Sequence, residues 1–314
     1  MGLSVIALIP VYNSGKFIKK SLDLVLEQSY PVKEVYVIDD GGKDNTVEIT
    51  EKIAKSSKKI KVHILKRPHT GMRGNMLNDV IKTISCDLIW IVEADAYHDK
   101  DFLKKSVKDF SDPKVGGVIG REYPMDVKTF LDRCRLIEFD YKYKNYKPYT
   151  AWVIRKKALE KSGGFSENTW LFDDVLLGND LKKAGYKIVF EPESKRYHFQ
   201  KTSIKALLRQ RYFWGYAFYL TLKNKGYLPK YIPFWTAVFA GLPLVVAYNP
   251  TLTLSAIVSV LLLLFLNAGS KMRKQTKNPA IIISIVLVRL FRQIITTIYF
   301  WIGLILRAAG KNIL

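Results

Sequence analysis

A run of forty residues without a charged side chain, 231–270, is the feature that most constrains this 314-residue chain. A helix needs about 20 apolar residues to cross the hydrocarbon core of a bilayer, so the run is long enough for two crossings. The break falls at Tyr248-Asn249-Pro250, because proline lacks a backbone donor. We therefore predict a hairpin of two membrane helices, 231–248 and 251–268. A buried hairpin in the core of a soluble protein is the alternative.

Basic residues flank this hairpin on both sides, whereas the turn between its helices carries no charge. They are Lys223, Lys225 and Lys230 before it, and Lys271, Arg273, Lys274 and Lys277 after it. Positively charged loops stay on the cytoplasmic side of a membrane. We therefore expect an integral protein of the cell membrane whose large N-terminal domain is cytoplasmic. The run Leu3–Val11 lacks a basic leader and a cleavage site, so we predict a buried strand there and no signal peptide.

The last apolar segment, 279–306, is interrupted by polar and small residues at intervals of three, four or seven. They are Arg289, Arg292, Gln293, Thr296 and Gly303, followed beyond the segment by Arg307 and Lys311. This spacing places them on one face of a helix. Such a helix is typical of the headgroup plane of a membrane, and this is the interpretation we favour. A third crossing, with Arg289 and Arg292 facing protein or water, is the alternative.

The charge balance also points to a membrane. The chain has 50 lysines and arginines against 28 acidic residues, a net charge of +22. No nucleic-acid-binding motif is present, so we predict no nucleic acid partner. Anionic lipids beside the membrane segments and nucleotide phosphates are the expected partners. A hydrophobic content of 48% excludes a disordered chain, and two cysteines exclude a disulfide-built module.

The N-terminal region alternates short apolar runs with helical patterns. The predicted strands are 4–9, 34–38, 60–65 and 88–92, and the predicted helices are 15–28, 45–55 and 76–83. Such alternation predicts an α/β domain with a parallel sheet covered by helices. Ligands of these sheets bind beyond the carboxyl ends of the strands.

Chemically useful residues follow each predicted strand. They are Pro10-Val11-Tyr12-Asn13, Asp39-Asp40-Gly41-Gly42, the loop from Arg67 to Gly74, and Glu93-Ala94-Asp95. If the ligand is a nucleotide, Tyr12 can cover the face of a base. Asp39 or Asp40 can accept hydrogen bonds from the base or the ribose.

The remaining two motifs suit phosphates and a metal. Arg73 lies on a glycine-rich loop and can bind a diphosphate with two parallel donors. Glu93 and Asp95, two residues apart, can hold Mg²⁺ or Mn²⁺ while phosphates complete the coordination. Each motif is weak by itself, and the common placement at strand ends is what strengthens the interpretation.

In their order, these motifs resemble those of family-2 inverting glycosyltransferases of the GT-A fold, which use nucleotide-sugars. The matching segments lie within residues 4–215 and are Ile9–Asn13, Val37–Gly41, Gly71–Asn78, Glu93–Asp95, Gly163–Phe165, Phe172–Asp174 and Lys182–Lys187. The resemblance implies a Rossmann-like, nucleotide-sugar-binding GT-A domain with a mostly parallel sheet. We assign it to residues 1–220, followed by a membrane region, 221–314.

The resemblance also implies the residues that bind the donor and the metal. The donor would contact Pro10, Tyr12, Asp39, Asp40, Arg73 and Asp95. Asp95 would bind Mn²⁺ or Mg²⁺ directly. Glu93 stands where an aspartate is usual, which leaves its own ligation open. Some relatives use a histidine at the position of His198 as a further ligand, although a lone histidine is more often structural. His98 is a weaker candidate, and His63 and His69 are predicted to be structural.

The same resemblance makes Asp174 the catalytic base, with Asp173 beside it near the acceptor. By its position alone, either acid is equally a cap of the helix predicted over 175–184. Gln210 and Trp214 match part of a Gln-x-x-Arg-Trp motif of membrane polysaccharide synthases, in which Phe213 replaces the arginine. They would bind the acceptor. An aromatic belt at the membrane surface is the alternative for these rings.

Three functions follow from these observations. The first is a membrane-bound inverting transferase that moves a sugar from a nucleotide-sugar to a hydroxyl of a lipid-linked or cell-surface glycan. The second is a polyprenyl-phosphate glycosyl synthase, whose acceptor is already ionised and needs no base. The third is a non-catalytic membrane scaffold. It is suggested by departures from the family pattern at Glu93, at Phe213 and at Leu176, which replaces an acid that often follows the base motif.

Overall fold

The computed structural model divides the chain into two compact units, 1–125 with 146–199 and 126–145 with 200–314. The residues that it describes are 2–144, 146–167, 169, 173–199, 203–225, 229–248, 262, 266, 270 and 276–309. The first unit contains every strand described here, and the second is helical in its described part. The sequence-based boundary at residue 220 therefore differs from this division, because the helices Phe130–Lys144 and Ile204–Lys225 group with the C-terminal helices.

The first half of unit one follows the predicted alternation closely. Its elements are β1 Val5–Val11, α1 Gly15–Leu26, β2 Val32–Asp39, α2 Thr46–Ser56, β3 Lys61–Lys66, α3 Arg73–Ile81 and β4 Leu88–Ile91. The central strands β1 and β4 are almost entirely buried apolar runs, as expected for a sheet covered on both faces, whereas the edge strand β3 is only partly buried. Asp44 accepts hydrogen bonds from Thr46 N at 3.0 Å and Gly15 N at 2.8 Å, so its carboxylate joins the starts of two helices.

The second half of unit one adds shorter elements. They are β5 Ala96–His98, α4 Phe102–Lys108, a 3₁₀ turn Asp109–Ser111, β6 Val115–Pro124, β7 Val153–Arg155, α6 Lys156–Lys161, α7 Asp173–Lys183 and β8 Lys187–His198. Between β6 and β7 the chain forms helix α5, Phe130–Lys144, which belongs to unit two. The long strand β8 pairs with β6 along most of its length and with β5 at its C-terminal end.

Within the described residues the strands form one eight-stranded sheet, in the order β3-β2-β1-β4-β7-β6-β8-β5. The four strands β1 to β4 run parallel, whereas β7 is antiparallel to both β4 and β6. The α/β class and the parallel sheet of the N-terminal half are confirmed. The carboxyl ends of β1, β2 and β3 lie side by side, since Val11 pairs with Asp39 and Asp39 with Lys66.

Unit two consists in its described part of α5 together with α8 Ile204–Lys225, α9 Tyr231–Tyr248 and α10 Pro279–Ala308. Helix α8 approaches α10 so closely that a Cβ on Gly215 would lie 2.8 Å from the carbonyl oxygen of Thr296. Cys134 of α5 packs against Ile282, Ile285 and Val286 of α10. These contacts explain why α5 and α8 join the C-terminal helices.

The membrane predictions meet the structure in two places. Helix α9 has the bounds predicted for the first hairpin helix. The second hairpin helix, 251–268, lies outside the described residues apart from 262 and 266. Among the helices that are described, Pro279–Leu306 is long and apolar enough to cross a membrane, with a mean hydropathy of 2.0. Its Arg289 and Arg292 face protein, which is the environment that the spanning alternative requires.

Candidate functional site

Tyr12 and Asp40 meet in one loop cluster at the carboxyl ends of β1 and β2. The ring of Tyr12 is half exposed and stacks on His69, with the ring centroids 4.2 Å apart. The carboxylate of Asp40 is buried and accepts hydrogen bonds from Thr70 N at 2.9 Å, Gly71 N at 2.8 Å and His69 Nδ1 at 2.8 Å. Asp40 therefore holds the loop after β3 in place, and the loop in turn supports the Tyr12 ring.

Asp39 lies in the same loop cluster, and its carboxylate accepts fewer hydrogen bonds from described residues than that of Asp40. Its Oδ1 accepts a hydrogen bond from Gly42 N at 3.2 Å, and the side chain is buried. Asn13 adopts a left-handed backbone conformation, with φ of +49°. Its side-chain Oδ1 accepts a hydrogen bond from Lys43 N at 2.7 Å. The strand-end turns after Pro10 and Asp39 are thus hydrogen-bonded to each other, and they form one surface.

Arg73 connects two other predicted motifs. It begins α3, and its Nε and Nη2 donate to the two oxygens of Asp173, both at 3.0 Å. Its Nη1 lies 3.4 Å from Oε1 of Glu93. These carboxylates, with Asp174, raise the pKa of Arg73 against the effect of its burial. One guanidinium therefore ties the start of α7 to the end of β4.

Helix α3, which follows the glycine-rich loop, is fixed to the Gly163–Phe165 turn by Asn78. Its amide donates to Phe165 O at 2.9 Å and accepts from Phe165 N at 2.8 Å. Gly164 has φ of +82°, and a Cβ there would lie 2.8 Å from the Asn78 amide oxygen. The segments Gly71–Asn78 and Gly163–Phe165 thus meet at one buried pair of hydrogen bonds, which we call the Asn78 clamp. The clamp requires the amide of Asn78 and a glycine at position 164.

Glu93 is engaged by two guanidiniums. Besides Arg73, its Oε2 lies 3.0 Å from Nη1 of Arg196, which stacks on the Trp152 ring at 3.6 Å. Burial raises the pKa of Glu93, but the arginines and His198 outweigh it and lower that pKa to about 2. Glu93 is therefore ionised, and its contacts are those of a structural ion pair.

Asp95 and His198 lie together on neighbouring chain segments, since β5 and β8 pair Ala96 with His198. His198 Nε2 is 3.4 Å from Oδ1 of Asp95, and its Nδ1 is 3.4 Å from Oε2 of Glu122. Burial lowers the pKa of His198, but these carboxylates raise it to about 10. Across the described part of the chain, no group of three or more His, Cys, Asp or Glu residues is arranged as a metal site.

Asp174 lies at the start of α7, as predicted for a cap and for a base. Its Oδ2 accepts a hydrogen bond from the hydroxyl of Thr150 at 3.2 Å, and its Oδ1 from Val175 N at 2.9 Å. Burial and the neighbouring Asp173 raise the pKa of Asp174, and Arg73 opposes them. The two adjacent acids thus differ, because Asp173 is paired with an arginine, whereas the donors to Asp174 among the described residues are neutral.

Some predicted residues belong elsewhere. Gln210 and Trp214 lie on α8 in unit two, where Arg211 donates to Gln210 at 2.9 Å and stacks on Trp214 at 4.1 Å. Their role with an acceptor remains a prediction. His98 is buried against the rings of Trp90 and Phe102, as expected for a structural histidine.

Sequence reasoning did not identify the partners of His198. Glu122 accepts Arg196 Nε at 2.8 Å, and Arg196 also contacts Glu93. The alternation Arg196-Tyr197-His198 could have indicated that the arginine and the histidine share one face of a strand. No local sequence pattern indicated Glu122, because only the pairing of β6 with β8 brings it beside Arg196 and His198. His69, predicted to be structural, supports both Tyr12 and Asp40.

Two family models match the chain. The model described as Glycosyl transferase family 2 matches residues 6–166, about half of the chain, and Glycosyl transferase family group 2 matches residues 88–272. The first covers the motifs after β1 to β4 and the Gly163–Phe165 turn. The second extends into the helices of unit two.

Curated relatives and a solved structure agree with this match. A poly-β-1,6-N-acetyl-D-glucosamine synthase of Staphylococcus aureus is 26% identical over 72% of this chain and 58% of its own length. An O-antigen chain rhamnosyltransferase of Salmonella typhimurium is 28% identical over 61% of this chain and 65% of its own. The chain thus spans about three fifths of the length of such relatives. A Pyrobaculum calidifontis mannosyltransferase, solved with GDP-Man and Mn²⁺, has a TM-score of 0.64 at 18% identity, covering 99% of this chain and 89% of its own.

Proposed function

Because the chain belongs to glycosyl transferase family 2, we propose that it transfers a sugar from a nucleotide-sugar to a hydroxyl of a glycan acceptor, with inversion at the anomeric carbon. The observation that carries this proposal is the double ion pair of Arg73. It contacts Asp173, the neighbour of the proposed base, and Glu93, two residues before the proposed metal ligand, and these contacts support a site that contains both Asp174 and Asp95.

The nucleoside would bind beside Tyr12 and Asp39. A half-exposed ring that is already stacked on His69 offers its other face to a base at little entropic cost. The carboxylate of Asp39 has hydrogen-bonding capacity beyond its contact with Gly42, so it can accept from the base or ribose. Asp40 would act indirectly, because its oxygens are occupied by the loop of His69 to Gly71.

Asp95 and His198 would hold Mn²⁺ or Mg²⁺. A carboxylate oxygen and a ring nitrogen 3.4 Å apart are close enough to bind one ion, and both groups are partly exposed to an incoming diphosphate. When bound, the cation would supply positive charge that stabilises the leaving diphosphate. Glu122 would orient the imidazole through Nδ1, and Glu93 would act through its two arginines. The mannosyltransferase solved with Mn²⁺ supports the choice of ion through its fold.

Asp174 would take the proton of the attacking hydroxyl. A general base works best when its pKa lies near the operating pH, and the raised pKa of Asp174 moves it in that direction. Thr150 would fix the orientation of the carboxylate by donating to Oδ2. Asp173 is a poor candidate for this role, because both of its oxygens are bound by Arg73.

The acceptor would be lipid-linked or at the cell surface, and the enzyme would be held at the membrane by its C-terminal helices. One described helix has the length and hydropathy of a membrane span, and its basic flank is consistent with a cytoplasmic catalytic domain. The named activities of the two curated relatives, on polysaccharide chains, support a glycan acceptor. Gln210 and Trp214 would contribute to binding it.

The test is nucleoside diphosphate release by the full chain in detergent, across a panel of nucleotide-sugars with Mn²⁺ or Mg²⁺ and membrane lipid extract. We expect release from one donor, stimulated by the extract and abolished by chelator. Asp174→Asn should lower kcat by about 10²–10⁴-fold while donor binding persists. Asp180→Asn, on the same helix but paired only with Lys183 at its surface, is the matched control and should retain activity.

The outcomes separate the three functions. If Asp174→Asn keeps full turnover and phosphorylated polyprenol alone is converted to a monosaccharyl lipid, the polyprenyl-phosphate synthase replaces the present proposal. If the chain neither binds nor turns over any nucleotide-sugar, the non-catalytic scaffold replaces the present proposal. Metal-dependent turnover that requires Asp174 supports transfer to a hydroxyl.

A further inference from the structure

Arg196 is a buried arginine that contacts two carboxylates beside the proposed metal site. Its side chain is only 6% exposed. Nε donates to Oε2 of Glu122 at 2.8 Å, and Nη2 donates to the same oxygen. Nη1 lies 3.0 Å from Oε2 of Glu93, and the face of the guanidinium stacks on the Trp152 ring. This guanidinium is therefore held on two edges and on one face.

The pairing of β6 with β8 brings Arg196 next to the carboxylate that supports His198. Along these strands Glu122 pairs with Arg196, and Pro124 pairs with His198. Arg196 and His198 are two residues apart on β8, so their side chains lie on the same face of the sheet. The arginine and the histidine consequently reach Glu122 from the same strand.

Glu122 serves the arginine and the histidine through one oxygen. Its Oε2 accepts the hydrogen bonds of Arg196 and lies 3.4 Å from Nδ1 of His198. The other ring nitrogen, Nε2, lies 3.4 Å from Oδ1 of Asp95. The Glu122 side chain is only 10% exposed, so without its arginine it would be a buried charge with a strong tendency to move. The orientation of the His198 ring therefore depends on a carboxylate that Arg196 holds in place.

The second partner, Glu93, connects Arg196 to the turn that carries Asp95. This turn follows β4, and a hydrogen bond from Ala96 N to Glu93 O at 3.0 Å closes it. The ion pair of Glu93 with Arg196 therefore fixes the first residue of a tight turn whose third residue is Asp95. One guanidinium thus holds the turn that presents Asp95 and the support of His198.

We propose that Arg196 is a positioning residue of the metal site, which fixes Asp95 and His198 relative to each other through its two carboxylate partners. This inference rests on the proposed function, because it takes these two residues as the ligands of Mn²⁺ or Mg²⁺. Removing a group that holds a metal ligand from behind typically weakens metal binding about 10–100-fold. Lysine cannot replace the arginine, because a single ammonium lacks the planar fork that reaches two carboxylates at once. The charge of Arg196 by itself repels a cation, so weaker binding after its replacement would report lost positioning.

The test is a titration of Mn²⁺ onto the full chain in detergent, followed by electron paramagnetic resonance well below the melting temperature of each variant. Arg196→Lys keeps the charge and should weaken Mn²⁺ binding about tenfold. It should also weaken the nitrogen modulation that the His198 ring gives in spin-echo spectra of bound Mn²⁺. Arg155→Lys is the matched control, because Arg155 also lies over an aromatic ring, that of Phe110, but donates to backbone carbonyls and pairs with Leu88 at the other end of β4. The control should lower the melting temperature and change Mn²⁺ affinity by less than about twofold.

Glu122→Asp provides the second variant and decides the question by itself if Arg196→Lys does not fold. It keeps the charge but is too short to reach both partners, so it should also weaken Mn²⁺ binding about tenfold. The double variant should bind within about twofold of the weaker single variant, because both changes break the same contact. Wild-type affinity in the folded single variants, an equal loss in Arg155→Lys, or losses that multiply in the double variant would overturn the role of Arg196 and leave the proposed function standing. A wild-type chain that does not bind Mn²⁺, or Asp95→Asn that binds it unchanged, would refute the metal site itself and this inference with it.

Discussion

Arg73→Gln offers the sharpest test of how the site is assembled. The substitution removes two hydrogen bonds to Asp173 and the contact with Glu93, and it leaves both acids beside Asp174. Breaking a buried ion pair from one side costs about 3–5 kcal/mol, because the remaining charge stays buried. The Asp173 side chain is only 5% exposed, but Arg73 is 27% exposed and Glu93 keeps Arg196. We therefore expect the low end, about 3 kcal/mol.

The assay is thermal unfolding of the full chain, followed by intrinsic fluorescence in detergent. A loss of about 3 kcal/mol should lower the melting temperature by roughly 6–12 °C in a unit of this size. Asp173→Asn alone should cost less, since Arg73 keeps Glu93. The double variant should be more stable than the sum of the single effects by about 1–3 kcal/mol.

Arg67→Gln is the matched control, because Arg67 pairs with Asp79 at the surface, where the two side chains are 32% and 50% exposed. This change should cost less than about 1 kcal/mol. The reasoning is refuted if Arg73→Gln melts within about a degree of the control, or if the double-variant cycle shows no coupling between Arg73 and Asp173.

Three further predictions concern single residues. The raised pKa of Asp174 means that the proposed base gains its proton at a higher pH than an ordinary aspartate, so kcat/KM should fall with acidification at a midpoint above 3.8; a lower midpoint in the pH profile would contradict this. Asn78→Ala should destabilise the protein by about 2–4 kcal/mol, because both backbone groups of Phe165 lose their partner, and a melting curve unchanged by the substitution would show that the clamp is unimportant. Asp95→Asn should weaken Mn²⁺ binding about tenfold or more in an electron paramagnetic resonance titration, without lowering the melting temperature, whereas unchanged affinity would remove Asp95 and His198 as the metal site.

The chain order of strands and helices was predictable because burial in a covered parallel sheet requires continuous aliphatic runs. Strands β1 to β4 therefore matched their predicted ranges to within a few residues. The residues that follow these strands were found for the same reason, since topology alone brings the ends of parallel strands together. The length of β8 was not predictable, because it depends on pairing with β6, whose sequence is distant.

The unit boundary was the other departure. Nothing in the sequence of α5 marks it as a partner of the C-terminal helices, because its polarity is that of an ordinary surface helix. Cys134 is buried only because α10 covers it, and Glu138 pairs with Arg289 and Arg292, which lie more than 150 positions away. Packing between distant segments leaves no local periodicity to read.

The sequence by itself determined the α/β class, the family and the strand ends that carry the chemistry, because these depend on local hydrophobic patterns and the order of short motifs. Tertiary structure alone decided which of two neighbouring aspartates is ion-paired and which can act as the proposed base. Asp173 and Asp174 are chemically identical neighbours, and only Arg73, reaching across from α3, pairs one of them and leaves the other with neutral donors. A carboxylate's charge state and role are set by the groups that surround it in space, and those come from parts of the chain that its own sequence neighbours do not reveal.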